Sequence, residues 1–133
     1  MNRIGATVKS VESVDNITIV SFEAAGQPMR MMALALNAPL QPGSRVTLGV
    51  KASHVSLAKD LGGMLSISNR LNVTVEKVDN GALLCSVKVR LGETLIESII
   101  TRESSERMNL QAGDRVTTLI KASELSILSI END

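Results

Sequence analysis

At 133 residues the chain has room for one ordinary domain, and its charge is balanced, with 14 basic and 14 acidic residues. Zero net charge argues against a bulk electrostatic footprint for nucleic acid or an anionic membrane. The hydrophobic fraction is 44% and nearly all aliphatic, with Phe22 the one aromatic, which removes the stacking platform a single-strand binder uses.

In chain order, the first segments are short, rich in β-branched residues and bounded by turn signals, which is a strand pattern. Strands are predicted over 3–11, 15–24, 28–36, 44–51 and 53–58. Asp15-Asn16 and Ala25-Gly26-Gln27-Pro28 supply turns, and Gln41-Pro42-Gly43 precedes the fourth strand. Asn37-Ala38-Pro39 is too short for a helix. A linker is predicted over 59–65, with Gly62-Gly63 as its flexible point.

The pattern then restarts. Strands are predicted over 70–78, 82–90, 94–101, 115–121 and 123–130. Asp79-Asn80-Gly81 and Leu91-Gly92-Glu93 are the hairpin turns, and Gln111-Ala112-Gly113-Asp114 precedes the fourth strand. Arg102-Glu103-Ser104-Ser105-Glu106-Arg107-Met108 is polar and helix-permissive, with Thr101, Ser104 and Ser105 able to cap its first amides.

The restart is an internal repeat. Asn2-Arg3-Ile4-Gly5-Ala6-Thr7-Val8 matches Asn69-Arg70-Leu71-Asn72-Val73-Thr74-Val75, 67 positions later. Val46-Thr47-Leu48-Gly49-Val50-Lys51-Ala52-Ser53 matches Val116-Thr117-Thr118-Leu119-Ile120-Lys121-Ala122-Ser123, 70 positions later. Such self-similarity sets the architecture. It predicts two units, 1–60 and 64–133, each an OB-like five-stranded Greek-key barrel, the second with a short helix between its third and fourth strands. Units of about 65 residues bury only about 60% of their unfolded surface, so each is expected to lean on its sibling and on other copies of the chain.

The residues offer little to catalysis, which needs a nucleophile with a base, a carboxylate pair or metal ligands. The single histidine, His54, reads as a strand-surface residue, and Cys85, in a Val/Leu-rich run, reads as a small core hydrophobe. One His and one Cys in different units do not make a metal site. No glycine loop has the neighbours that nucleotide binding requires. No signal peptide or long apolar stretch is evident, so a soluble cytoplasmic protein is the default expectation.

Oxyanion binding needs hydroxyls, backbone amides and a cation, with few carboxylates nearby. The second unit offers Ser66 and Ser68 before its first strand, Thr101 and Ser104 at the helix start, and Lys121 with Ala122 and Ser123. The same residue types also serve as strand-end and capping groups with no ligand, and composition alone favours that plainer reading. The first unit keeps Lys51, Ala52 and Ser53.

Ser66-Ile67-Ser68-Asn69-Arg70-Leu71, Ile100-Thr101-Arg102-Glu103-Ser104, Leu110-Gln111-Ala112-Gly113 and Ile120-Lys121-Ala122-Ser123 together resemble the Mop (molbindin) family of molybdate-binding domains, related to the TOBE domains of transport ATPases. The resemblance covers essentially the whole chain, as a tandem of two such domains. It implies a non-enzymatic cytoplasmic protein that stores or buffers molybdate, with tungstate an equivalent ligand, no organic cofactor, and no nucleic-acid or membrane partner. It implies sites between subunits of a homo-oligomer, a trimer before a dimer. Donors would come from Ser66, from Thr101 and Ser104 of a neighbouring chain, and from Lys121 and Ala122. Ser68 falls where the family often has arginine if Asn69 and Leu71 hold their family positions; a two-residue slip would put Arg70 there instead. Loss of that arginine would weaken charge compensation. The first unit lacks the serine segment and the helix, so it is expected to be mainly architectural, with Lys51, Ala52 and Ser53 as a secondary site. Two other readings follow from the same residues: a molybdate-responsive module acting through a partner, and a degenerate homologue that assembles without anion.

Overall fold

The computed structural model describes residues 1–131; residues 132–133 of the second predicted unit lie outside the described residues. In the first half, β1 is Asn2–Val14, β2 Ile17–Ala24, β3 Gln27–Leu34 and β4 Arg45–Val50. A 3-10 turn over Ala52–His54 leads into β5, Ser56–Ala58. The second half repeats the order: β6 Asn69–Asn80, β7 Leu84–Leu91, β8 Thr94–Thr101, then α1 Arg102–Arg107, β9 Arg115–Ile120, a 3-10 turn Ala122–Glu124 and β10 Ser126–Glu131. The fold is thus mostly β, with the one short helix where the capping residues predicted it. The region of Asn37-Ala38-Pro39 forms no helix.

Alternation builds the core. Ile4, Ala6 and Val8 of β1, and Leu71, Val73 and Val75 of β6, point inward, while their neighbours along each strand face outward. Cys85, Val87, Val89 and Leu91 do the same on β7. Cys85 is a fully buried free thiol, as its apolar run predicts. Each long first strand carries a bulge at the same repeat position, at Lys9 in β1 and Glu76 in β6. Just before each bulge the chain also bonds the loop leading to the fourth strand, through Val8 to Ser44 and Val75 to Asp114, both at 2.8 Å. A bulge bends the strand and increases its twist, which lets one strand serve two neighbours round a closed sheet.

The sheets do not respect the predicted boundary between units. One has the order β10-β4-β1-β2-β3 and the other β5-β9-β6-β7-β8. Each half therefore gives its fifth strand to the other: β10 pairs with β4, and β5 with β9. The division at 60/64 marks the linker but not the barrels. The cause is local. The 3-10 turns at 52–54 and 122–124 occupy the start of the predicted fifth strands and carry the chain across to the other half. Exchange between like units costs little, because each receiving edge gains the ladder it would have had from its own strand.

The halves meet reciprocally. Asn2 donates to the Glu97 carbonyl at 2.7 Å and accepts from the Glu97 amide at 2.9 Å. Asn69 makes the same pair of bonds with Arg30, at 2.9 and 2.7 Å. Asn69 stands 67 positions after Asn2, and Glu97 stands 67 after Arg30. His54 and Glu124, 70 positions apart, meet directly, with Nδ1 2.7 Å from Oε2. A residue touching its own repeat partner is the mark of an approximate two-fold axis, and one apolar core runs through both halves.

Candidate functional site

The two Lys-Ala-Ser segments have nearly the same backbone. Lys51 is extended (φ −68°, ψ 141°) and so is Lys121 (φ −66°, ψ 144°), each followed by a 3-10 turn. The turn closes through a backbone hydrogen bond in which the amide of His54 in one case and Glu124 in the other donates to the lysine carbonyl, both at 2.9 Å. This leaves both lysine side chains at the surface. His54 is thus a turn residue packed on the opposite turn, not a strand-surface residue.

The strand exchange decides what each turn faces. The turn after Lys51 lies against β8, where the Ser98 hydroxyl donates to the Val55 carbonyl at 2.6 Å. The turn after Lys121 lies against β3. Asn69 and Ile120 are register partners, so Ser68 and Lys121 leave the ladder side by side. The Asn69 side chain holds the backbone of Arg30 beside them. Asn2 and Val50 are partners in the same way, so Met1 and Lys51 leave together, beside Glu97.

Thr101 and Ser104 form the predicted cap. Thr101 Oγ1 accepts from the Ser104 amide at 3.1 Å and donates to Ser104 Oγ at 2.9 Å. Ser104 Oγ also accepts from Arg107 at 3.0 Å. Ser104 also hydrogen-bonds the neighbouring Glu103 carboxylate, which can only accept, so its own proton is engaged at the helix start. The helix carboxylates are neutralised: Arg102 holds Glu106 at 2.7 Å and Arg107 holds Glu103 at 3.0 Å. The hydrogen bond from Arg107, then its charge, keeps the Glu103 carboxyl below its ordinary range.

The helix is anchored at its other end by a residue that sequence reasoning placed in the linker. Lys59 donates to the Met108 and Asn109 carbonyls and to Asp114, each at 3.1 Å. A cation at these carbonyls satisfies groups the helix leaves unpaired and complements its dipole. Asp114 also accepts from the Gln111 amide at 2.9 Å; that bond, then the hydrogen bond from Lys59, holds its carboxyl below the usual carboxylate pKa. The signal was a lysine just after the exchanged strand, legible only once β5 is known to pair with β9.

The predicted site residues therefore fall into three places. Ser68 and Lys121, with Ala122 and Ser123 following, share the junction with β3 and Arg30. Ser66 precedes it and is exposed. Thr101 and Ser104 stand at the far end of β8. Lys51, Ala52 and Ser53 belong to the second junction. A cavity of about 410 Å³ opens on the Ser68 and Arg30 side of the first junction, lined also by Ser21, Lys9 and Glu23; Lys121, Ala122 and Ser123 lie outside its lining. A larger cavity, about 780 Å³, lies over β6 and β9 and is lined by none of the predicted residues. Asp60 lines it and its Arg90 is already tied to Glu76 at 2.8 Å, so it suits a dianion less well. Among the described residues, no three His, Cys, Asp or Glu side chains converge as a metal site, and no helix is long and apolar enough to cross a membrane.

Comparison with known proteins agrees with this geometry. The TOBE domain model matches residues 65–127. The structure resembles that of the cytoplasmic molybdate-binding protein ModG with molybdate bound, with a TM-score of 0.89 and 28% identity, covering 95% of this chain and 94% of ModG. The molybdenum import ATP-binding protein ModC of Pseudomonas syringae pv. syringae is 38% identical over 122 residues, 90% of this chain. ModC of Pseudomonas syringae pv. tomato is 32% identical over 121 residues, again 90% of this chain. The chain spans only 32% of the length of either ModC.

Proposed function

The chain belongs to the Mop/TOBE family, and from that premise we propose that it binds molybdate reversibly, as a non-catalytic carrier that stores or buffers the anion in the cytoplasm. The observation that carries this reading is the end-to-end likeness to ModG, which was crystallised with molybdate. The proposed ligands are Ser66, Ser68, Lys121, Ala122 and Ser123 from one chain, completed by Thr101 and Ser104 of a neighbouring copy. Within one chain the helix start lies at the end of β8 and the Lys121 turn lies against β3, which supports completion of the site between chains. A homo-oligomer follows, a trimer before a dimer.

Hydroxyl and amide donors with a lysine provide charge-assisted hydrogen bonds to a tetrahedral dianion. A cavity sized for molybdate passes over the smaller sulfate and phosphate, while tungstate, of like size and charge, binds alike. Lys51, Ala52 and Ser53 form at most a secondary site. No organic cofactor, nucleic acid or membrane enters this mechanism. A second reading, a molybdate-responsive module acting through a partner, draws on the ModC relatives, in which the matching stretch is part of a longer protein.

Titration calorimetry of the full chain with sodium molybdate tests the proposal. Saturable heat that excess sulfate does not compete away is expected. No heat at several temperatures, with no molybdate-dependent rise in Tm, would leave an assembling homologue without an anion site.

A further inference from the structure

Resting on that reading, we infer that Arg30, on β3 of the first half, supplies the guanidinium of the anion site at the Ser68–Lys121 junction. With Asn69 and Leu71 in their family positions, Ser68 stands where the family often has arginine, so on that alignment the segment before β6 carries a hydroxyl and no charge there. The exchanged architecture brings in another cation. Asn69 clamps both backbone groups of Arg30, at 2.7 and 2.9 Å, one residue from Ser68, and Arg30 and Ser68 line the same cavity.

The electrostatics of that cavity favour an anion. Its one carboxylate, Glu23, is paired with Lys9 at 3.7 Å, so the two largely cancel. Arg30 is solvent-exposed, and among the described residues no ion pair engages its guanidinium. Its planar fork can donate two parallel hydrogen bonds to one tetrahedral oxyanion, which a lysine cannot.

The repeat provides an internal control. The residue in Arg30's place at the other junction is Glu97, held by the matching clamp from Asn2. Its carboxylate accepts from Ser86 at 2.5 Å, and Met1 stands in the place of Ser68. The Lys-Ala-Ser turns are alike on the two sides, so this reversal of charge, not the turn, makes one junction receptive and the other not.

The test is molybdate titration of the full-length wild type, Arg30→Ala, Lys121→Ala, Glu97→Ala and the double variant Arg30→Ala/Ser68→Arg, with Tm as a control for folding. Losing a charge-assisted bond weakens affinity by about 10- to 100-fold. That loss is expected for Arg30→Ala, with unchanged Tm, little effect from Glu97→Ala, and recovery in the double variant, which returns the guanidinium from Ser68's position. If Arg30→Ala binds like wild type while Lys121→Ala does not, the inference falls and the molybdate reading stands. If the wild type takes up no molybdate, both fall.

Discussion

The two junctions between the halves share one skeleton and differ in charge. Each has a buried asparagine clamping the backbone of a third strand, and each has an extended lysine leading into a 3-10 turn. One junction gathers Ser68, Lys121 and Arg30; the other gathers Met1, Lys51 and Glu97. The repeat supplies the geometry twice, and the side chains that differ set the charge of each junction, which on the proposed reading suits one of them to an anion. On the proposed reading, the Lys-Ala-Ser turn alone does not distinguish the two junctions, because both carry it with nearly the same backbone. What faces it across the junction decides its chemistry, and here that residue comes from the other half of the chain.

The sharpest break in the comparison is between the lysines. Lys121→Ala should weaken molybdate binding by about 10-fold or more, the scale of a lost charge-assisted bond. Lys51→Ala should change it little. Equal losses in calorimetry would make the two junctions equivalent and remove the basis for ranking them.

The asparagine clamps should differ in stability. Asn69 is fully buried, whereas Asn2 retains 9% exposure near the start of the chain. Asn69→Ala strands the Arg30 amide and carbonyl without water, at a cost of about 1–3 kcal/mol. Asn2→Ala should cost about 1 kcal/mol, at the low end of that range, because solvent can replace the bonds. Urea denaturation of both variants measures the gap.

A third contrast lies in the hairpin turns, where the repeat places Ala25 opposite Gly92. Both are left-handed, with φ of 50° and 59°, and a Cβ built on Gly92 would sit 3.0 Å from the Ala25 Cβ. An alanine in this region is strained by about 1–2 kcal/mol, partly offset in glycine by lost chain entropy. Ala25→Gly should therefore raise stability by up to about 1 kcal/mol, and Gly92→Ala should lower it by more than about 1 kcal/mol. In the double variant the Cβ contact is gone. A thermal-melt cycle over the four proteins then separates backbone strain from the contact.

Much of this fold was legible in the residues. Short runs of β-branched residues located the strands, Asp15-Asn16 and Ala25-Gly26 their turns, and Thr101 with Ser104 the helix start. Alternation tells which face of a strand is buried but not which neighbour it joins, so the exchange of β5 and β10 could not be read. The 3-10 turns were hidden because Ala52–His54 and Ala122–Glu124 adjoin apolar runs that read as strand. Lys59 looked like linker for the same reason: its partners, Met108, Asn109 and Asp114, become neighbours only through the exchange. Of the candidate site, the repeated Lys-Ala-Ser motif, though not its turn, and the Thr101 cap were readable from the sequence. Arg30 was not, since nothing in its own half marks it. Its clamp, Asn69, was visible only as a repeated Asn-Arg pair at the start of two strands.

The most direct test of the account is a crystal structure of the full chain grown with sodium molybdate, with an anomalous difference map collected at the molybdenum edge. The account predicts a peak at the junction of Ser68, Lys121 and Arg30, with Thr101 and Ser104 of a neighbouring copy alongside, and none beside Glu97. A peak at the Lys51 and Glu97 junction alone, or no peak in a saturated crystal, would contradict it.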